Sequence, residues 1–466
     1  MTFAYPTKTL KRQTLWCFCV YRAVALGVAP LISRLSVSSH TGAMFVSPSR
    51  RSVSRTRRET PPASSDLVSI PSLSTPEKKR QLPRTEMEPS AISPETSPTR
   101  FLTSELVRQT NRKEAYVEIR GASAAELRPS STLTTGQCFH WRAVETAASL
   151  KESAWGSHNA TEWVGVVRAS SGQSVVLSIL ETPFSSHYRV LHGPASFDYD
   201  DFLRSYFQLE ISLTALYDEW SVQCPRLKKI AKCIPGVRII DQDPWECLVS
   251  FICSSNNNIP RITKILNALR KEYGERLMAI GDDALYSFPS HEKLMVKATE
   301  DDLRKKCGMG YRARYLMETM QVLDSLGGEK YLQELRNMND PVEVQDRLLQ
   351  FCGVGRKVAD CVSLFSLKQC NAIPVDVHVW SIARRDYDEE GLLQNAKSLS
   401  PKMYHQVGKV FRSRFPRKSG WAHSLLFVAE LPSFRSALPE RMIQSMDEFR
   451  AQEKERKKAK RELNDR

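Results

Sequence analysis

Lys357 and Asp376 have the types and spacing needed to cleave a glycosidic bond. Lys357 follows the glycine-containing run 353–355, and Asp376 stands nineteen residues further on, within the segment 374–378. An amine can attack the C1′ carbon of a nucleotide and form a covalent Schiff base. A fixed carboxylate can stabilise the positive charge that develops on the sugar. The pair therefore predicts an enzyme that removes bases from DNA.

Both residues also have ordinary structural explanations. A lysine in the first turn of a helix is usually solvated, and Asp376 is placed to cap the helix predicted to start at Val377, a contribution of roughly 1 kcal/mol. Capping and charge stabilisation can coexist, because a capping carboxylate is held at a fixed point. To attack, Lys357 must be neutral, which requires partial burial, a neighbouring cation or proton transfer to a leaving group. The sequence leaves these three routes open.

Gly353 and Gly355 predict a hairpin that binds DNA backbone without reading its sequence. Glycine permits the tight turn, and the helix that follows points its N–H groups and its positive dipole end at a phosphate. Most glycines between helices only cap a helix and turn the chain, so this pattern gains meaning from Lys357 beside it. Cys361 lies four residues after Lys357 and shares its helix face, which gives the lysine a thiol neighbour.

The elements that must position these residues change type along the chain. Between about residues 118 and 208, short alternating runs predict antiparallel strands. From Ile211 to about Leu438 the apolar periodicity is helical. The predicted helices cover 244–254, 260–273, 301–307, 312–326, 342–351, 356–367 and 377–385. The predicted fold class is α+β, with an N-terminal antiparallel β subdomain and an all-helical helix-hairpin-helix body.

Composition divides the 466 residues into a folded core with basic ends. With 41% apolar residues, the chain can bury a large core. The predicted divisions are a targeting segment at 1–58, a disordered linker at 59–110, a β-rich subdomain at 111–235, a helical domain at 236–438 with its hairpin at about 350–361, and a charged basic tail at 439–466.

The net charge of +15 lies mostly at the two ends. Residues 1–58 contain ten Lys or Arg and no acidic residue, and residues 450–466 contain eight basic and four acidic residues. The core between them is close to neutral, so DNA binding there must depend on a local patch. The basic tail predicts a nuclear location, although a merely solvated tail has the same composition.

The N-terminal segment also resembles a mitochondrial transit segment. It contains an apolar run from Leu15 to Ile32 that is interrupted by Arg22. Two alternatives remain open. One is a signal anchor, for which Arg22 is badly placed, and the other is an extension upstream of a start at Met44 or Met87. A mitochondrial location is thus a second expectation beside the nucleus.

The eleven cysteines show neither a CxxC pair nor a Cys/His spacing typical of zinc sites. They predict a reducing compartment, and we expect no cofactor and no catalytic metal. Carbonyl groups of the hairpin could hold an ion that the sequence does not identify. We expect a monomer, and we expect no membrane partner.

Between about Glu118 and Leu431 the chain resembles the helix-hairpin-helix base-excision DNA glycosylases, most closely the eukaryotic 8-oxoguanine DNA glycosylases. The resemblance rests on the segments 135–141, 251–259, 308–315, 353–361, 374–378 and 421–423. It implies a bifunctional enzyme that flips an oxidised purine, 8-oxoguanine above all, out of duplex DNA where it is paired with cytosine. Strand cleavage would follow by β-elimination.

The resemblance also implies roles for individual residues. Lys357 would be the nucleophile and Asp376 the essential carboxylate. The lesion pocket would contain a carbonyl at Gly136 that distinguishes the oxidised base, two residues that sandwich the base, and one at its Watson–Crick edge. These three are Cys361, Phe427 and His423.

The remaining implied roles concern DNA outside the pocket. Asn256 would fill the gap left by the flipped base, Arg261 and Arg312 would hold the orphaned cytosine, and Tyr311 would be the wedge beside it. His378 would contact a phosphate, as would the hairpin at Gly353 and Gly355. Core packing or capping would explain several of these residues equally well when each is taken alone.

Two residues depart from the family pattern. His423 replaces a glutamine, and a histidine changes the geometry and protonation of the pocket. Cys352 replaces a proline before the hairpin, which loosens the turn but spares its glycines.

Two other functions compete with this interpretation. An endonuclease-III-like or mismatch adenine glycosylase would usually carry an iron–sulfur cluster, yet no cysteine follows Cys370. A non-catalytic damaged-DNA-binding module would have no need for both Lys357 and Asp376. Activity on a lesion duplex distinguishes these possibilities.

Overall fold

The computed structural model describes residues 102–103, 115–145, 160–169, 172–389, 391–394, 396 and 398–464. The predicted targeting segment lies outside the described residues, and so does all of the predicted linker except Leu102–Thr103. These two residues form a short strand of the main sheet.

A six-stranded sheet forms the N-terminal part, in the spatial order β1-β3-β4-β5-β6-β2. All neighbouring strands are antiparallel except β1, which runs parallel to β3. The strands are β1 (Leu102–Thr103), β2 (Val117–Ser123), β3 (Trp141–Glu145), β4 (Thr161–Arg168), β5 (Ser174–Glu181) and β6 (Ser185–His192). The predicted β subdomain is confirmed, with one parallel edge added.

The central strands are buried on both faces. In β5, Val175 and Leu177 pack in a core with the helix Tyr199–Tyr206, whereas Val176 packs on the other face with Ile280 and Leu285. Those two residues belong to a hairpin of β7 (Arg276–Ile280) and β8 (Asp283–Tyr286). This hairpin interrupts the stretch predicted to be helical. It forms because the apolar residues of the hairpin become buried when it covers the second face of the main sheet.

The helical body follows the predicted boundaries closely. The seven predicted helices all form, and their ends differ from the predictions by at most three residues. The helices among the described residues are α1 (Pro129–Thr132), α2 (Tyr199–Tyr206), α3 (Leu213–Gln223), α4 (Pro225–Cys233), α5 (Pro244–Cys253), α6 (Ile259–Tyr273), α7 (His291–Lys297), α8 (Glu300–Lys305), α9 (Arg312–Ser325), α10 (Glu329–Arg336), α11 (Pro341–Leu348), α12 (Arg356–Ser366), α13 (Val377–Asp386), α14 (Pro401–Arg414), α15 (Ser419–Val428), α16 (Pro432–Arg435) and α17 (Glu440–Asn464). No helix in the described part of the chain is both long and apolar enough to cross a membrane.

Helix α12 lies between the two cores of the helical body. Val358 and Val362 pack in the core formed with α5, α6 and α9, whereas Leu364 packs in the core formed with α3, α4, α13 and α15. Phe365 contacts both cores. Burial on two sides leaves the helix little freedom to rotate, so its first turn, which carries Lys357, is held in place.

Arg238 is a fully buried cation that joins distant parts of the chain. Its guanidinium donates to the carbonyls of Glu126, Phe207, Gln208 and Ile211, and it also pairs with the Glu126 carboxylate at 2.9 Å. A buried charge of this kind is tolerated only when its hydrogen bonds are satisfied. The segment after Arg238 leads to the cavity described below.

We therefore expect Arg238→Met to lower the free energy of unfolding by about 3–5 kcal/mol, because it leaves several buried carbonyls and one carboxylate without their partner. Urea unfolding measures the change. Arg417→Met is the control: its ion pair with Glu219 is largely exposed, so a change within about 0.5 kcal/mol is expected. Equal effects of both substitutions would contradict the structural role of Arg238.

Candidate active site

A cavity of about 530 Å³ lies between the loop after α1 and the helical body. Four parts of the helical body complete its wall, namely the α5–α6 turn, α12, the start of α13, and α15. The lining residues are Thr135, Gly136, Gln137, Phe139, Val237, Ile239, Phe251, Ser254, Asn257, Asn258, Ile259, Pro260, Ile262, Lys357, Cys361, Phe365, Pro374, Asp376, His378, His423, Ser424, Phe427, Val428, Leu431 and Pro432. Seven of the residues predicted for the site are among them.

Lys357 reaches this cavity from the first turn of α12. Its side chain is half-buried, and its Nζ atom lies 5.3 Å from the centre of the Phe251 ring. The ring face attracts an ammonium group electrostatically, so Phe251 helps to hold the lysine head against the wall. Among the described lining residues, Lys357 and Asp376 are the only Lys, Arg, Asp or Glu side chains.

Cys361 lies one turn after Lys357 and is buried. Burial raises the pKa of its thiol to about 11, although the neighbouring Lys357 acts against this shift. The thiol is therefore protonated at neutral pH and is a poor nucleophile. Its contribution is a small, weakly polar surface on the wall, which is compatible with contact to a flat base.

Asp376 caps helix α13. Its Oδ1 atom accepts hydrogen bonds from the backbone N–H groups of His378 and Val379, each at 2.9 Å. The capping geometry predicted from the sequence is thus present. Because both bonds go to the same oxygen, the cap does not use Oδ2. A carboxylate held this way can stabilise a cation in the cavity at little reorganisation cost.

Gly136 forms the opposite wall with positive-φ backbone, at φ +80°. A Cβ atom there would lie only 3.0 Å from the Cδ1 atom of Ile259. The position thus disfavours other residues on both conformational and steric grounds. With glycine, the backbone itself borders the cavity and can approach a ligand closely.

His423 extends from α15 into the cavity wall and is 4% exposed. Burial lowers its pKa from 6.5 to about 4, while Asp376 and the nearby backbone at Gly420 oppose the change. Neither ring nitrogen has a hydrogen-bond partner of good geometry among the described residues. A neutral imidazole offers one donor and one acceptor.

Phe427 and His378 lie at the cavity together. Their rings pack edge to face, with centroids 6.0 Å apart. Phe427 is half-buried, whereas His378 is exposed. An aromatic face of this kind can stack on a base, and an exposed histidine beside it can reach the DNA backbone.

The other predicted DNA contacts gather around the turn between α5 and α6. Asn256 is exposed there, with φ +48°. Arg312 is 2% exposed, and its guanidinium donates to the carbonyls of Ser255 and Asn256. The Tyr311 hydroxyl donates to the Ser255 carbonyl at 3.1 Å. Arg312 therefore holds this turn in the DNA-free chain, and Arg261 is the exposed arginine at the start of α6.

The two hairpin glycines differ in how strictly their positions require glycine. Gly353 has φ +78°, and a Cβ atom there would lie 2.7 Å from the Tyr315 ring. Gly355 has extended backbone that any residue can adopt, and a Cβ atom there would meet nothing within 4 Å. Helix α12 has no side-chain cap at its N-terminus. Its first N–H groups are thus available for a phosphate.

Several lining residues received no role in the sequence analysis. Among them are the apolar side chains of Phe251, Phe139, Phe365 and Ile259. Phe251 and Ile259 belong to the segment 251–259, on which the family resemblance partly rests. That resemblance was the one indication in the sequence that they border a functional site. Their periodicity alone indicates a buried helix face, which does not distinguish a cavity wall from a core.

Two family models match adjacent parts of the chain. The N-terminal domain of 8-oxoguanine DNA glycosylase matches residues 121–248. The HhH-GPD superfamily of base excision DNA repair proteins matches residues 249–399. Together they cover strands β3 to β6, the hairpin and the cavity-lining residues from Thr135 to His378, whereas His423 and Phe427 lie after the matched ranges.

Curated relatives and solved structures agree with these matches. The chain is 36% identical over 366 residues to N-glycosylase/DNA lyase OGG1 of Arabidopsis thaliana, which covers 76% of this chain and 92% of the relative. It is 38% identical over 250 residues to N-glycosylase/DNA lyase of Saccharomyces cerevisiae, which covers 49% of this chain and 66% of the relative.

The fold is similar to that of Clostridium acetobutylicum 8-oxoguanine glycosylase/lyase. The apo form gives a TM-score of 0.52 at 28% identity and covers 68% of this chain and 98% of that chain. The complex of the same enzyme with double-stranded DNA containing cytosine opposite 8-oxoG gives 0.52 at 27% identity, with coverage of 68% and 97%.

The hairpin geometry predicts different costs for two similar substitutions. Gly353→Ala should lower the free energy of unfolding by about 1–3 kcal/mol, because it combines positive φ with a close contact to Tyr315. Gly355→Ala should cost less than about 1 kcal/mol, since it loses only a favourable N-cap residue. Urea unfolding of both variants gives the comparison, and a larger loss at Gly355 would refute the assignment.

His423→Gln should reduce the pH dependence of stability. Between pH 6.5 and about 4, the unfolded chain binds a proton at this histidine and the folded chain does not, so stability falls as the pH falls. At about 1.4 kcal/mol per pKa unit, the parent should lose roughly 3 kcal/mol more than the variant between pH 7 and 4. Urea unfolding at a series of pH values measures this difference.

Subtracting the two curves removes groups common to both proteins. Asp243 and Asp360, whose pKa values burial raises to about 6, act in the opposite sense in this range and cancel in the subtraction. His405→Gln, on the exposed side of α14, is the control and should parallel the parent. A constant offset between H423Q and the parent at every pH would show that His423 is not a buried neutral group.

Proposed function

Because the chain belongs to the 8-oxoguanine DNA glycosylase family, within the HhH-GPD superfamily of base excision DNA repair proteins, we propose that Lys357 and Asp376 carry out its reaction. The enzyme is a bifunctional DNA N-glycosylase and DNA lyase that removes 8-oxoguanine. The observation that carries the residue assignment is that a lysine and a helix-capping aspartate line one cavity of about 530 Å³, with no other Lys, Arg, Asp or Glu among its described lining residues.

The first step brings the base into the cavity. The uncapped N-terminus of α12 binds the DNA backbone through its N–H groups, and the base rotates out of the duplex at a cost of a few kcal/mol. Phe427 and the Cys361 thiol face the two sides of the base, and the backbone at Gly136 and the neutral ring of His423 meet its polar edges. Asn256 fills the gap in the stack.

The second step exchanges one bond at C1′ for another. The glycosidic C–N bond breaks, its electron pair stays on the base, and the leaving base takes up a proton from the Lys357 ammonium group, which leaves the lysine amine neutral. Asp376 stabilises the positive charge on the sugar during this change. The neutral Lys357 amine forms a bond to C1′, and opening of the sugar ring gives the Schiff base.

The third step cleaves the strand. The imine makes the C2′ proton acidic; a base removes this proton, a C2′–C3′ double bond forms, and the 3′ phosphate leaves with the C–O electron pair. Hydrolysis of the imine then returns free Lys357. No metal takes part in this scheme.

We propose cytosine as the base opposite the lesion. Arg261 is exposed beside the α5–α6 turn and can donate to the acceptors of cytosine. Arg312 would have to exchange its bonds to the Ser255 and Asn256 carbonyls for bonds to cytosine, with Tyr311 stacked beside it at 4.5 Å from guanidinium to ring centre. Arg312 therefore changes its hydrogen-bond partners when DNA binds.

The proposed location is the nucleus, supported by the Lys- and Arg-rich end of α17. The acid-free composition of residues 1–58 supports the mitochondrion as a second location. The proposed state is a monomer that acts on duplex DNA.

Lys357→Gln should abolish covalent trapping and slow base excision by roughly 10³-fold or more, because it removes the nucleophile. The assay incubates enzyme with an 8-oxoguanine:cytosine duplex and sodium borohydride, and measures the trapped complex on a denaturing gel. Asp376→Asn should slow excision by roughly 10²–10⁴-fold while leaving Lys357 able to form some trapped complex.

Lys330→Gln, at an exposed position of α10, is the matched control and should trap as the parent does. The assignment of the nucleophile fails if K357Q traps as well as the parent. The role of Asp376 fails if D376N excises the base at the parental rate.

A further inference from the structure

Asp360 and Tyr404 form a hydrogen-bonded pair outside the set of residues that line the cavity. The Tyr404 hydroxyl donates to Oδ2 of Asp360 at 2.5 Å, and the Gln345 side chain donates to Oδ1 at 2.7 Å. Asp360 is 7% exposed, and Tyr404 is half-buried. Both oxygens of the carboxylate are therefore engaged.

The same hydroxyl also reaches the segment that carries Asp376. The backbone N–H of Val375 donates to the Tyr404 oxygen at 3.2 Å, and the carbonyl of Ile373 lies 3.3 Å from it. Val375 immediately precedes Asp376, and Pro374 between the two contacts has no N–H of its own. This irregular segment thus depends on a side chain for the hydrogen bonds that a helix or strand would supply.

Asp360 belongs to the helix that carries the nucleophile. It lies in α12, three residues after Lys357 and directly before Cys361. Tyr404 therefore connects two elements at once, because its hydroxyl binds α12 through Asp360 and the Asp376 segment through Val375. The bond from Gln345 ties α11 to the same carboxylate.

The ionisation of Asp360 fixes the direction of these bonds. Burial raises its pKa to about 6, while Arg412 and Arg356 act in the opposite direction; burial also raises the pKa of Tyr404, which stays protonated. Above pH 6 the carboxylate only accepts, so the single hydroxyl proton of Tyr404 points to Asp360. A lone pair of the hydroxyl oxygen then faces the N–H of Val375.

We propose that Tyr404, held by Asp360, is a positioning residue that sets the separation between Lys357 and Asp376. Tyr404 is not among the described residues that line the cavity. The proposal rests on the function proposed above, in which both residues must face the same C1′ carbon. Displacements on the order of 1 Å at such a site can reduce the rate by roughly 10²-fold.

The main test is Tyr404→Phe under single-turnover conditions with an 8-oxoguanine:cytosine duplex. We expect the rate of base excision to fall roughly tenfold, while the Kd for a duplex that carries a non-cleavable abasic analogue changes less than about twofold. Tyr387→Phe is the matched control. Tyr387 is in the same core, and its hydroxyl contacts Cys224 at 3.3 Å rather than either catalytic segment, so parental rates are expected.

Two further measurements separate positioning from a general loss of stability. In a double-mutant cycle, the effects of Asp360→Asn and Tyr404→Phe on the excision rate should be non-additive, because both act through one contact. The excision rate of the double variant should therefore lie within about twofold of the rate of the slower single variant. Hydrogen exchange should be faster at the Val375 amide in Y404F than in the parent and in Y387F. This exchange measurement does not depend on activity.

Each outcome decides the proposal. Parental excision rates or unchanged exchange at Val375 in Y404F overturn it. Additive effects of D360N and Y404F, or an equal loss of activity in Y387F, also overturn it, because they indicate separate or merely stabilising roles. If the parent itself fails to excise 8-oxoguanine, the proposed function fails, whereas the exchange result still reports on the contact between Tyr404 and Val375.

Discussion

The buried carboxamide of Gln137 holds the two sides of the cavity together. It donates to the carbonyls of Thr132 and Arg238 and accepts from the N–H of Ile240, at 2.8, 2.9 and 3.0 Å. The Gln242 side chain donates to the backbone carbonyl of Gln137, and the Gln242 N–H donates to the carbonyl of Phe365 at the end of α12. Buried amide groups need hydrogen-bond partners. These bonds therefore fix the position of the Gly136 wall relative to the helix that carries Lys357.

Burial also shifts the pKa values of two side chains in the cavity wall. It keeps the Cys361 thiol protonated and the His423 ring neutral, so two polar groups of the wall offer hydrogen bonds without formal charge. The capped Asp376 and Lys357 are the only Lys, Arg, Asp or Glu side chains among the described lining residues. A wall of this kind can bind a neutral base at one end and stabilise a cationic sugar at the other.

Particular elements show how far sequence reasoning extends. The helices around the site were predictable because their caps and apolar spacing are local: Asp243 and Asn258 cap α5 and α6, and Asp376 caps α13. The β7–β8 hairpin was missed, because a short apolar run fits a helix or a strand equally well. Its choice depends on the second face of the main sheet, a partner that is distant in sequence.

The sequence by itself determined the family and the α+β class, and it pointed to Lys357, Asp376 and the segments that border the cavity. The tertiary structure decided which residues share the cavity, that burial lowers the pKa of His423, that Arg312 binds the asparagine turn, and that Tyr404 links α12 to the segment before Asp376. Caps and periodicity act over a few residues and can be read along the chain. Burial, pKa shifts and hydrogen bonds between residues such as Asp360 and Tyr404 arise only when distant segments pack together.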